Sequence, residues 1–215
     1  MLFRSAVVQG IGAYMNGLFY TTPIPEVIAD IRKNGGSVLS EKNAEMNQLK
    51  GVKKALELGY RKIAVTARGD EKQIIEGIRN LQKEIKDSGR EITVLAICNT
   101  GVTKGQAKNI GDNADLAWAC ASKEVRKIVG PRSILQVGIK IPVFVLTMQG
   151  IDLISAYSSD LFLKNSLKDM EKKHFITSSK FAPGSIKINM GKFSVFLYEA
   201  ENLPVIANDE PKPLI

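Results

Sequence analysis

Ile92-Thr93-Val94-Leu95-Ala96-Ile97-Cys98, followed by Asn99-Thr100-Gly101-Val102-Thr103, is the stretch on which the fold turns. Its first half is almost unbroken apolar sequence, as a strand covered on both faces requires. Its second half turns polar, and Thr103 with Gln106 makes a capping box that starts a helix. A buried strand, a short polar loop and a helix are half of a parallel crossover.

The same unit recurs on either side. Upstream, Ile63-Ala64-Val65-Thr66 reads as a strand and is followed by a helix with Ile74, Ile78, Leu81 and Ile85 on one stripe. Downstream, Leu116 to Cys120 reads as a strand, Ser122 caps a helix carrying Val125, Ile128 and Val129, and Val143 to Leu146 leads into a helix beginning at Thr147. Further out, Thr22-Pro23 with Glu26 predicts a helix start, with Ile24, Val27, Ile28 and Ile31 as its buried face and Gly35-Gly36 as its stop. A second helix places Leu49, Val52 and Leu56 together and breaks at Gly59.

This alternation predicts an α/β fold, with a doubly wound, largely parallel sheet, helices on both faces, and a small C-terminal β appendage. Residues 1–158 are read as the α/β domain. Residues 159–215 are read as a helix, a β-hairpin meeting near Gly191, and a tail containing Pro204, Pro211 and Pro213. Ile134 to Val137 resists the scheme, because it lies too close to Val143 for a parallel crossover. It is left as a turn of helix or an antiparallel edge. His174 is expected on a solvent-facing helix.

Ligands of parallel α/β sheets bind outside the C-terminal strand ends, where helix N-termini present free N–H groups. Four loops are expected there, and the candidate ligand-binding residues are Thr66 and Arg68; Cys98, Asn99, Thr100, Gly101 and Thr103; Cys120, Ser122 and Lys123; and Thr147. For each loop taken singly, Ser and Thr as helix caps and Gly as a turn residue are the ordinary explanation. Together, the four favour a site. A nucleophilic or redox role for Cys98 and Cys120 would need a thiolate supported by a cation such as Arg68 or Lys123. The ordinary reading is a buried cysteine acting as a small apolar residue. The crossover between the two strands would bring both thiols to one rim, provided both side chains point the same way.

Other chemistry is limited by what the chain contains. Two cysteines and one histidine cannot complete a four-ligand thiolate and imidazole metal site, so no metal site is expected. Gly10-Ile11-Gly12-Ala13-Tyr14-Met15 suggests a dinucleotide fingerprint, but Met15 stands where the third glycine belongs. The formal charge of +8 favours anionic ligands. Its carriers, including Lys50, Lys53, Lys54, Lys104, Lys108, Arg126 and Lys127, are scattered over helix faces as a solvated surface, so nucleic acid is not the expected partner. No run is long and apolar enough to span a bilayer, and cysteine usage fits the cytoplasm.

Several ordered phrases carry a family resemblance. They are Val8-Gln9-Gly10-Ile11-Gly12, Thr22-Pro23-Ile24-Pro25-Glu26-Val27-Ile28, Gly51-Val52-Lys53-Lys54-Ala55, Gly59-Tyr60-Arg61-Lys62-Ile63-Ala64-Val65-Thr66, Cys120-Ala121-Ser122-Lys123 and Leu135-Gln136-Val137-Gly138 leading to Ile141-Pro142. From Val8 to Gly150 the chain resembles the methanogenesis marker protein 8 family, and it reads as an N-terminally truncated member. The resemblance implies an anaerobic, cytoplasmic accessory role in methanogenesis, with a small anionic ligand or a methanogenesis-related protein as partner. It transfers no catalytic residue and no cofactor, and it leaves homo-oligomerisation and enzymatic activity open.

Overall fold

A computed structural model of the protein describes residues 23–43, 45, 47–158, 165, 167, 172–180 and 183–205. The glycine-rich N-terminal passage, most of the expected helix after Ser159, Pro211 and Pro213 lie outside the described residues. The described residues fall into two compact units, one within residues 1–65 and 81–92 and the other within residues 66–80 and 93–215.

In the first unit, α1 (Pro25–Lys33) begins at a proline, which loses no helical hydrogen bond at that position, and buries Ile28. It ends where Gly35 takes a left-handed conformation and Gly36 N–H closes onto the Ile31 carbonyl at 2.8 Å. In α2 (Gln48–Glu57), Asn47 accepts from Lys50 N–H, and Val52, Ala55 and Leu56 are buried. Between them, Ser37 to Leu39 forms no strand.

The second unit contains most of an eight-stranded sheet. Its strands are β1 (Lys62–Arg68), β2 (Glu91–Ile97), β3 (Leu116–Trp118), β4 (Leu135–Val137), β5 (Val143–Val145), β6 (Lys173–Thr177), β7 (Ile186–Met190) and β8 (Phe193–Ala200), in the order β1-β2-β3-β5-β4-β6-β8-β7. Helix α3 (Lys72–Glu84) follows β1 and buries Ile75 and Ile78, and α4 (Lys104–Asn113) follows β2. Glu91 N–H bonds the Arg61 carbonyl at one end of β1 and β2, and Gly69 N–H bonds the Ile97 carbonyl at the other, so the two run parallel. β3 is parallel to β2.

Beyond β3 the sheet departs from the expected doubly wound pattern. β4 and β5 are joined by residues 138–142 alone, with Gly138 at φ +80°, which is room for a hairpin and not for a crossover. β5 therefore enters antiparallel, paired on one side with β3 and on the other with β4. Val143 to Leu146, expected as a fourth parallel strand, is corrected to this reversed strand, and Leu135–Val137 is an interior strand. The architecture is thus a mixed α/β sheet, parallel over β1–β3 and mostly antiparallel towards the C-terminus.

The C-terminal strands continue this sheet. β4 pairs in parallel with β6, β8 is antiparallel to β6, and the β7–β8 hairpin turns at Gly191 as expected. His174 is corrected from an exposed helix position to a β6 residue only 4% exposed, whose N–H bonds the Ile134 carbonyl. The apolar pair Phe175-Ile176 that follows it decides that state, because both side chains are buried on opposite faces of the sheet. One face packs Leu116, Leu135, Val145, Ile176, Ile188 and Leu197 around Ile151 of α5 (Met148–Ser155). On the other, Phe175 stacks on Tyr198 at 4.6 Å. Pro204, read as tail, has its carbonyl held by Gln136 Nε2 at 3.2 Å. Among the described residues no helix is long and apolar enough to cross a membrane.

Candidate functional site

The rim at the exit ends of β1, β2 and β3 is built from side chains that tie one loop to the next. Gln106, in the first turn of α4, completes the expected capping box with Thr103 and also donates from Nε2 to the Asp70 carbonyl at 3.2 Å. That joins the loop after β1 to the start of α4. Asn99 is fully buried and donates from Nδ2 to the carbonyls of Ala96 at 3.1 Å and Trp118 at 2.6 Å, stitching β2 to β3. Thr100 Oγ1 accepts from Ala121 N–H at 3.3 Å, so the second and third loops lie against each other. The β4–β5 turn reaches the same rim, because Ala119 N–H bonds the Pro142 carbonyl at 2.8 Å.

Most of the sequence candidates meet here. Cys98, Thr100, Gly101 and Thr103 are exposed, Cys120 and Lys123 are half-buried, and Ser122 is buried and caps the following turn through Val125 N–H at 3.2 Å. Arg68 ends β1 in a two-point hydrogen bond with Asp70. That bond raises its guanidinium pKa above the ordinary value against partial burial, and the carboxylates of Asp70 and Glu71 act in the same direction. Thr66 lies within β1, two residues short of the rim.

Thr147 is the candidate the structure separates from the rest. Because β5 runs antiparallel to β3, its end lies beside the beginning of β3. Thr147 Oγ1 accordingly donates to Asp115 Oδ1 at 2.6 Å and accepts from Gly150 N–H at 3.2 Å. The expected group of four loops is corrected to three loops and the β4–β5 turn.

The two cysteines share an unusual backbone. Cys98, at φ 56°, and Cys120, at φ 49°, are the non-glycine residues with positive φ among the described residues. For an L-residue this conformation costs roughly 1–2 kcal/mol. At Cys120 the compensation is visible: its carbonyl accepts from Arg126 Nη1 at 2.8 Å, and a hydrogen bond from a charged donor contributes about 1.5–3 kcal/mol. Cys98→Gly and Cys120→Gly should each shift stability by no more than about 1 kcal/mol, because relief of strain roughly offsets the extra freedom of unfolded glycine. Denaturation midpoints of the two variants would check this; a loss above about 2 kcal/mol would mean that thiol packing outweighs the strain.

The pair does not form a matched dithiol by register. Leu95 pairs with Leu116 and Ala96 with Ala117, which sets position 98 beside 119. Both cysteines lie past the strand ends in the left-handed conformation, so the pleat of β2 and β3 does not set the directions of their side chains. Among the described residues no group of three His, Cys, Asp or Glu side chains could hold a metal ion.

Sequence reasoning missed Arg126. It was counted with the solvated cations, yet it is 1% exposed and also donates to the Ser122 carbonyl at 3.2 Å and the Lys140 carbonyl at 2.9 Å. The segment Val125–Val129 is a π-helical turn, wider than an α-turn, so spacing of 3.6 residues misassigns its faces. The Gly69–Asn99 contact was missed as well. A Cβ at Gly69 would lie 2.0 Å from Asn99 Oδ1, an atom with no hydrogen-bond partner, and no local pattern signals such an approach.

Residues 1–157 match the model of a family described as an uncharacterized protein conserved in archaea (DUF2099). An uncharacterized protein of Methanocaldococcus jannaschii is 34% identical over 209 residues, covering 97% of this chain and 60% of that protein. The chain therefore spans less than two thirds of that relative's length. No solved structure matches it.

Proposed function

The chain belongs to the DUF2099 family of proteins conserved in archaea, and from that premise we propose that it binds a small anionic molecule at the rim formed by the ends of β1, β2 and β3. The observation that carries this reading is the direct link between the second and third loops, Thr100 Oγ1 to Ala121 N–H. Lys104 is exposed in the first turn of α4, which follows the second loop, and Lys123 stands half-buried after the third. Thr100 accepts in that link, which leaves its hydroxyl proton to donate to an anion. Phosphate and carboxylate groups both suit a rim of this kind.

The resemblance to the methanogenesis marker protein 8 family and the methanogen origin of the relative support a cytoplasmic accessory role in methanogenic metabolism. A methanogenesis-related protein is the other partner consistent with that role. A thermal-shift screen of phosphorylated and carboxylated small molecules, followed by titration of each hit, tests the reading. Lys123→Ala and Thr100→Ala should each weaken the hit about tenfold or more, the scale of one lost hydrogen bond to a charged group. Unchanged affinity in both variants would remove this rim as the site.

A further inference from the structure

We infer that Arg126 is the positioning residue of this rim: from inside the molecule it fixes the Cys120 carbonyl, and so the backbone that presents the Cys120 thiol and the following amides. The inference rests on the reading of the rim as the binding site. Its physical basis is that the guanidinium serves carbonyls on two separate loops, at Cys120 and Ser122 on one and at Lys140 on the β4–β5 turn. Cys120 turns its carbonyl towards this group by adopting the left-handed conformation. Arg126 itself is buried, so it acts on a ligand only through the loop.

A planar fork can hold carbonyls on two loops in fixed directions, whereas a lysine ammonium is a single point of charge. Removing the fork should release the third loop while leaving the second loop, held by Asn99 and the α4 capping box, as it is. A residue that merely filled the core would loosen both loops together.

The test is the rate of iodoacetamide alkylation at each cysteine, resolved by peptide mass spectrometry, in the wild type, Arg126→Lys and Arg126→Met. The readout needs no ligand, so it stands or falls apart from the binding screen. Cys120 should react about tenfold faster in Arg126→Met, as expected for local opening of one loop, with Arg126→Lys falling between it and the wild type and Cys98 unchanged. Equal acceleration of both cysteines, or of neither, would overturn the inference. So would loss of the far-UV signal in Arg126→Lys, since the residue would then be supporting the core and not the loop.

Discussion

Asp115→Ala is expected to lower the unfolding free energy by about 3–5 kcal/mol, the range for breaking a buried ion pair by removing one partner. Asp115 is 1% exposed and stands immediately before β3. Its Oδ2 pairs with Arg79 of α3 and accepts from Val94 N–H at 2.7 Å, while Oδ1 accepts from Thr147 at the start of α5. One carboxylate thus joins two strands and two helices. Alanine would leave the Arg79 guanidinium without its carboxylate and Val94 N–H buried without an acceptor. Asp112→Ala is the control, because its pair with Arg132 is exposed on both sides and such pairs contribute about 1 kcal/mol or less. Urea denaturation of the two variants gives the comparison, and a cost for Asp115→Ala no larger than for Asp112→Ala would sink the argument.

The second large effect is expected at Gly69, where the added methyl of Gly69→Ala meets Asn99 Oδ1 at 2.0 Å and Ile110 Cδ1 at 2.7 Å. Neither neighbour can easily give way. Asn99 is pinned by two carbonyls, and Ile110 is fully buried in α4. Overpacking of this kind costs about 1–3 kcal/mol, and displacing Asn99 forfeits its hydrogen bonds between β2 and β3 besides. The expected result is a loss of about 3 kcal/mol in unfolding free energy, measured by urea denaturation. The solvent-exposed Gly105→Ala should be neutral or mildly stabilising, since nothing lies within 4 Å of its added methyl. A Gly69→Ala variant as stable as Gly105→Ala would mean that the loop after β1 adapts without strain.

The parallel part of the fold was legible because it follows from local signals. The covered run at Ile92 to Ile97, the Thr103–Gln106 capping box and the Ser122 cap each appear in the structure where the residues placed them. Strand direction was not legible, since Val143-Phe144-Val145 is equally apolar read either way. The decisive clue was the short spacing from Val137, which forbids a crossover and so commits β5 to reversal. That single reversal also removed Thr147 from the candidate site. His174 and Arg126 were misplaced for a common reason: charge and polarity suggested the surface, whereas backbone pairing in one case and a π-helical turn in the other brought them inside.

The placement of β6 against β4 bears on what a shortened form of the chain would expose. The family match ends at residue 157, before β6, β7 and β8. Within that matched length, β4 has a neighbour in the sheet only on the β5 side, and its other flank would present unsatisfied N–H and C=O groups to any passing strand. The C-terminal strands therefore act as edge protection. A shortened form that dispensed with them would need a substitute, such as a charged or proline-bearing flank on β4 or a covering helix, to remain monodisperse.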